Sequence, residues 1–188
     1  MSAKQSRMLD LGTPAPAFRL SNPSTGETVA LEDFASSPAL LVAFLCNHCP
    51  YVKHILDGFV AFAHEYHDRG LAVVAISSND VSQYPADSPA EMAKLARERG
   101  FGFPYLYDES QSVARAYDAA CTPDLFLFDG SRHLAYRGQF DGSRPGRKQP
   151  VTGADLRAAA DAVLAGKTVS GEQMPSVGCS IKWRSGTR

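Results

Sequence analysis

Residues 38–45 (Pro-Ala-Leu-Leu-Val-Ala-Phe-Leu) form an unbroken apolar run that stops at Cys46. The run is too short for a buried helix and is bounded by turn formers, so it predicts a central strand covered on both faces. From Tyr51 onward the apolar residues Val52, Ile55, Leu56, Phe59, Phe62 and Tyr66 recur at helical spacing, with Lys53, Asp57, Glu65 and Asp68 elsewhere around the turn. That pattern predicts an amphipathic helix whose apolar face is core and whose stop is Gly70. Residues 71–77 read as a second buried strand. Residues 89–99 read as a helix, with Ser88 as N-cap and Gly100 as terminator. The polar segment between them, 78–87, carries Asn79, Asp80 and Pro85 and is expected to run over the surface at one end of the sheet.

A short strand over 103–107, a helix over 110–117 and a strand over 125–128 follow. Asp129-Gly130 then signals a hairpin to an antiparallel strand at 134–137. A last helix is expected over about 153–164, ended by Gly166. Strands alternating with helices require parallel strands and helices on both faces, and the late hairpin adds an antiparallel edge. The fold class is α/β, a central mixed sheet flanked by helices. Residues 141–150 and 168–188 read as linker-like, and no internal repeat or low-complexity segment is present.

A length of 188 residues with 44% hydrophobic composition suits one domain, with a core at about 14–166 and a tail at 167–188. Nineteen basic against twenty acidic residues leave a net charge of -1. No global field therefore favours nucleic acid or an anionic membrane. No stretch reaches transmembrane length, and residues 1–11 lack the apolar core of a signal peptide. Four cysteines are few for a disulfide-stapled scaffold, which places the chain in a reducing cytoplasm. In that compartment closely spaced thiols are more often catalytic or metal-binding than structural.

Cys46 and Cys49 are such a pair, set where a strand ends and a helix begins. A helix N-terminus favours an anion by roughly 0.3–1 kcal/mol, and up to about 2 when partly buried. With one pKa unit worth about 1.4 kcal/mol, the helix alone brings a thiol from about 8.5 toward about 7. A protonated His48 beside the thiolate lowers it further, and Asn47 offers an amide donor. Pro50 follows at a helical position that needs no amide proton. Redox chemistry is the leading reading. Half of a zinc or copper site, with Cys46, Cys49 and His48 as ligands, is the alternative, but a structural zinc site needs a second ligand pair. Cys121 and Cys179 are not close-spaced.

The Cys46-Asn47-His48-Cys49-Pro50-Tyr51-Val52-Lys53-His54 segment, the later Cys121-Thr122-Pro123-Asp124, and the tail from Pro175 to Trp183 together resemble one group. It is the thioredoxin-like branch of the redoxin family, which includes the alkyl hydroperoxide reductase and thiol-specific antioxidant proteins. The resemblance implies a thioredoxin fold over about residues 14–183, with Cys46 as an exposed attacking cysteine and Cys49 as the buried resolving one. It also implies a cis bond between Thr122 and Pro123, in a loop that offers backbone groups to an extended substrate chain. Leu45 stands where thioredoxins carry Trp, and Asn47-His48 where they carry Gly-Pro. Peroxiredoxins place Thr three residues before the peroxidatic cysteine; if Cys49 matches that cysteine, Cys46 occupies the Thr position. The copper chaperones of this fold have three residues between their cysteines, not two.

The implied activity is thiol-disulfide oxidoreduction in cell redox homeostasis, without a cofactor, on a protein disulfide or hydroperoxide and with a thiol reductant. Thiol peroxidase is the alternative. Cys121 is expected near the pair, to attack or shield Cys46 or, more simply, to pack. Cys179 is expected to pack, with a role as distant resolving thiol as the second reading. His54 and the basic loop of Arg144, Arg147 and Lys148 are expected to be solvated.

Overall fold

The computed structural model describes residues 3–185. In chain order its strands and helices are β1 (Ala3–Gln5), β2 (Arg19–Ser21), β3 (Thr28–Ala30), β4 (Ala39–Phe44), α1 (Pro50–His67), β5 (Leu71–Ser77) and α2 (Pro89–Glu98). They continue with β6 (Tyr105–Tyr107), α3 (Ser112–Ala116), β7 (Cys121–Thr122), β8 (Asp124–Phe128), β9 (Leu134–Gly138), α4 (Ala154–Leu164) and β10 (Val177–Ser180).

The main sheet has the order β3-β2-β6-β5-β4-β8-β9. β4 runs parallel to β5 and antiparallel to β8, and every residue of β4 is buried. Because side chains alternate across a strand, Leu41, Ala43 and Leu45 face one core and Leu40, Val42 and Phe44 the other. The first core takes Phe59 and Phe62 of α1, Met92 of α2 and Leu156 of α4. Val113 of α3 packs into the second, with Tyr117 just beyond it. Burying a side chain such as Phe59 contributes about 1.5–3 kcal/mol. The predicted α/β architecture with helices on both faces is the one observed. No helix among the described residues is long and apolar enough to cross a membrane.

Three segments depart from the sequence reading. The tail is not a linker, since β10 joins a second sheet of order β1-β10-β7. Residues 141–150 are anchored, since buried Asp141 accepts the amides of Ser143, Thr152 and Gly153 while Arg144 donates to the carbonyls of Asp141 and Ser143. The 78–87 segment reaches the surface only at Ser82, Gln83, Pro85 and Ala86, while Ser78, Asn79, Asp80 and Asp87 are buried. Polar composition signals exposure only where nothing hydrogen-bonds the polar groups inside, and here partners exist.

One buried ion pair ties the second half of the sheet together. The fully buried guanidinium of Arg137 on β9 donates to both oxygens of Asp124, at 2.5 and 3.2 Å, and to the carbonyl of Arg7 at 2.9 Å. It lies 3.5 Å from the centre of the Phe126 ring. Asp124 also accepts the Ala120 amide at 2.9 Å, which fixes the chain entering β7.

Candidate active site

β4 delivers Cys46 just past its C-terminal end, and Cys49 is the N-cap of α1. The bond between Thr122 and Pro123 is cis, as the resemblance implied. Thr122 holds both sulfurs. Its Oγ1 is 3.3 Å from Cys46 Sγ, and its carbonyl oxygen is 3.1 Å from Cys49 Sγ, where it accepts the thiol proton only while Cys49 is protonated. All four cysteines are free thiols and all are buried.

The surroundings of the two sulfurs favour an anion at Cys49 over one at Cys46. The Cys49 thiol is brought down to about 4, first by the Cys46 thiol donating to it and then by the Cys179 thiol and the amides of Val52 and Cys179, which together outweigh burial. Cys46 moves the opposite way, held well above the usual thiol range by that same donation, by burial and by the negative charge of Asp87. Nor is Cys46 exposed, with 1% of its surface accessible against 0% for Cys49. The helix end does favour an anion, but the sulfur at the N-cap receives the donors and Cys46 supplies one.

His48 is engaged by Asp87. Its Nδ1 lies 2.6 Å from Oδ2 of Asp87, its ring stacks on Tyr84, and its Nε2 is buried with no partner. Asp87 organises this side of the site. Oδ1 accepts the amides of Asn47 and His48 at 2.8 and 3.2 Å, and Oδ2 also accepts Asn79 Nδ2 at 2.8 Å. Burial works against the Asp87 charge, but the hydrogen bonds from His48 and Asn79 override it and hold the carboxyl below its usual range. Asn47 uses its side-chain oxygen to accept the Tyr105 hydroxyl at 3.1 Å. Ligand atoms of Cys46, His48 and Asp87 lie within 4.8 Å of one another, a different set from the one the sequence suggested. Both oxygens of Asp87 are already committed to donors.

Asp87, Asn79 and Tyr105 were missed by the sequence reading, although one signal pointed to them. Ligands gather outside the carboxyl ends of parallel strands, and the residues following β5 must lie beside those following β4. Asp87→Asn is expected to cost roughly 1.5–3 kcal/mol, because charged acceptors make the stronger hydrogen bonds. Loss of the charge should also move Cys46 ionisation to lower pH, followed by thiolate ultraviolet absorbance; an unmoved Cys46 would exclude Asp87 as a control on that thiol.

The cis loop does not present a free edge to an extended substrate chain. β10 takes that edge, pairing antiparallel with Cys179 opposite Thr122 and Ser180 opposite Cys121. The residues beyond β10 are stitched to the 79–80 turn: Asp80 donates to the Lys182 carbonyl and the Lys182 amide donates to Asn79, both at 2.8 Å. Cys121 is fully buried, and burial with the nearby Asp124 charge drives its thiol far up, which fits a packing role. His54 is half-buried against Ser143 Oγ at 3.0 Å, contrary to expectation, and Arg144 is turned inward. Arg147 and Lys148 are exposed.

A mixed sheet with helices on both faces, two cysteines at the start of the first long helix and a cis-proline loop against them define a thioredoxin-like redoxin. The AhpC/TSA family matches residues 11–137, and the chain belongs to it. A conserved uncharacterized protein from Geobacillus kaustophilus is 52% identical over 100% of this chain and 99% of its own, with a TM-score of 0.97. A hypothetical protein from Sinorhizobium meliloti is 53% identical over 97% of this chain and 99% of its own, with a TM-score of 0.95. At 16% identity the thioredoxin domain of a thiol-disulfide oxidoreductase from Bacteroides vulgatus shares the fold, with a TM-score of 0.60 over 80% of this chain and 97% of its own. No curated relative matches the sequence.

Proposed function

We propose that the chain is a thiol-disulfide oxidoreductase of cell redox homeostasis in which Cys46 and Cys49 alternate between dithiol and disulfide. The observation that carries this reading is the placement of both sulfurs on Thr122 of the cis loop, between the end of β4 and the start of α1. The Cys49 thiolate attacks a substrate disulfide, forming a mixed disulfide and expelling one substrate thiolate, which takes up a proton. Cys46 then loses its proton and attacks Cys49 Sγ, releasing the second substrate thiol and leaving the Cys46–Cys49 disulfide. The His48–Asp87 pair, with ligand atoms within 4.8 Å of the Cys46 sulfur, is placed to take up that proton. Two electrons pass from the dithiol to the substrate, and an external thiol reductant restores it; no cofactor is required. Because β10 fills the peptide edge, the reading favours a small disulfide over an extended protein segment.

Peptide mapping after treatment with oxidised glutathione is expected to find one intramolecular Cys46–Cys49 disulfide, and Cys49→Ser should abolish turnover. Absence of that disulfide, or turnover retained in the variant, overturns the reading. A second reading, thiol peroxidase, is favoured by the low pKa of Cys49, although Cys46 would then stand where peroxiredoxins carry Thr. There Cys49 becomes a sulfenic acid that Cys46 resolves. A stopped-flow rate with hydrogen peroxide no greater than that of free cysteine removes it.

A further inference from the structure

Cys46 is not the sole thiol within reach of Cys49. β10 lies along the cis loop in register, with Cys179 directly opposite Thr122, whose carbonyl oxygen lies 3.1 Å from Cys49 Sγ. Cys49 and Cys179 belong to the same buried cluster, and the thiol and amide of Cys179 are among the groups that bring the Cys49 thiol down.

The strand is fitted to this position. A Cβ on Gly178 would stand 1.9 Å from the Thr122 carbonyl oxygen, so a residue with a side chain could not pass there. On its other edge β10 is held by β1, with Ala3 opposite Cys179. The Ile181 amide donates to the Ala120 carbonyl at 3.3 Å and extends the pairing with the β7 side. β10 thus occupies the edge that an extended substrate would use, and it carries a cysteine at the residue facing the redox pair.

We propose that Cys179 is a second resolving thiol for Cys49, in addition to Cys46. The proposal rests on the reading of Cys49 as the residue that forms a mixed disulfide. In the step, the Cys179 sulfur attacks Cys49 Sγ in the Cys49–substrate disulfide. The bond to the substrate sulfur breaks, the substrate thiolate leaves with the proton that Cys179 gave up, and a Cys49–Cys179 disulfide remains. The oxidising equivalents come from the substrate disulfide alone.

The electrostatics supply a gate. In the reduced protein Cys179 is pushed up to about 12, first by burial and then by its hydrogen bond to Cys49 and the Cys49 charge. Once Cys49 is bonded to a substrate sulfur its charge is gone, and only burial opposes ionisation of Cys179. The thiol is therefore released for attack by the event that requires it.

The test removes Cys46 and asks where the mixed disulfide goes. Reduced Cys46→Ser protein is treated with oxidised glutathione, alkylated and mapped by mass spectrometry, with wild type alongside. The expected result is an intramolecular Cys49–Cys179 disulfide in most chains of the variant. That crosslink should be lost in the double variant Cys46→Ser, Cys179→Ser, which should stall with glutathione on Cys49. Cys46→Ala serves the same purpose if the serine variant does not fold.

Glutathione trapped on Cys49 while Cys179 stays free in the single variant overturns the proposal and leaves the Cys46–Cys49 reading intact, provided wild type forms that disulfide. Wild type that forms neither a Cys46–Cys49 nor a Cys49–Cys179 disulfide overturns both.

Discussion

Replacing Cys49 by serine is expected to erase a thiolate titration near pH 4 and to flatten the rising limb of the pH–stability profile of the reduced protein. The folded value of about 4 lies far below the roughly 8.5 of an unfolded cysteine, so between the two the unfolded chain binds more protons. Stability from this group is fully present above about 8.5 and is lost as pH falls toward the folded value. Cys46 and Cys179 are raised and act with the opposite sign. Their contribution is present below about 8.5 and is lost as pH rises beyond it toward their folded values. Wild type should therefore show a maximum near pH 8 to 9 in urea titrations, about the unfolded thiol value, and Cys49→Ser should lack the climb from the acid side. An unchanged profile would show that Cys49 is not the anion. A low thiol pKa makes the sulfur a better leaving group but a weaker nucleophile. The benefit at Cys49 therefore lies as much in making its disulfide a strong oxidant as in attack.

Arg137→Met is expected to destabilise the protein by about 3–5 kcal/mol, because it strands the carboxylate of Asp124 in a site with no access to water. Equilibrium urea unfolding measures it directly. Pairing it with Asp124→Leu should recover much of the loss, since removing both charges also removes the desolvation penalty. If the single variant costs under about 1 kcal/mol, the value of an exposed pair, the ion pair is not what holds β9 to β8. The Ala120 amide would lose its acceptor in the double variant, so recovery should fall short of complete.

The elements legible in the sequence were those whose patterns run long enough to be unambiguous. β4 and β5 are uninterrupted apolar runs, and α1 presents about four turns of amphipathic spacing from Val52 to Tyr66. β1, β2 and β3 have three residues each and β10 has four, among them Gly178, Cys179 and Ser180. No periodicity can be read from so few positions, and nothing in such a segment signals burial. The cysteine pair and the cis-proline loop were legible because strand-end and helix-start signals bracket the first, and resemblance supplied the second. The location of the charge was not. It depends on Asp87 and Cys179, which lie 38 and 130 residues beyond Cys49 in the chain and reach it only through the β4–β5 and β10–β7 pairings.

The β1-β10-β7 sheet joins segments from opposite ends of the sequence to the middle. During synthesis residues 177–180 leave the ribosome after every strand of the main sheet, so the thiols stay unsealed until this late segment docks. In that interval Thr122 offers an unpaired strand edge next to reactive sulfur, a template for aggregation and for adventitious cross-linking. Docking of β10 ends that exposure, since it pairs with Cys121 and Thr122 and leaves all four thiols buried.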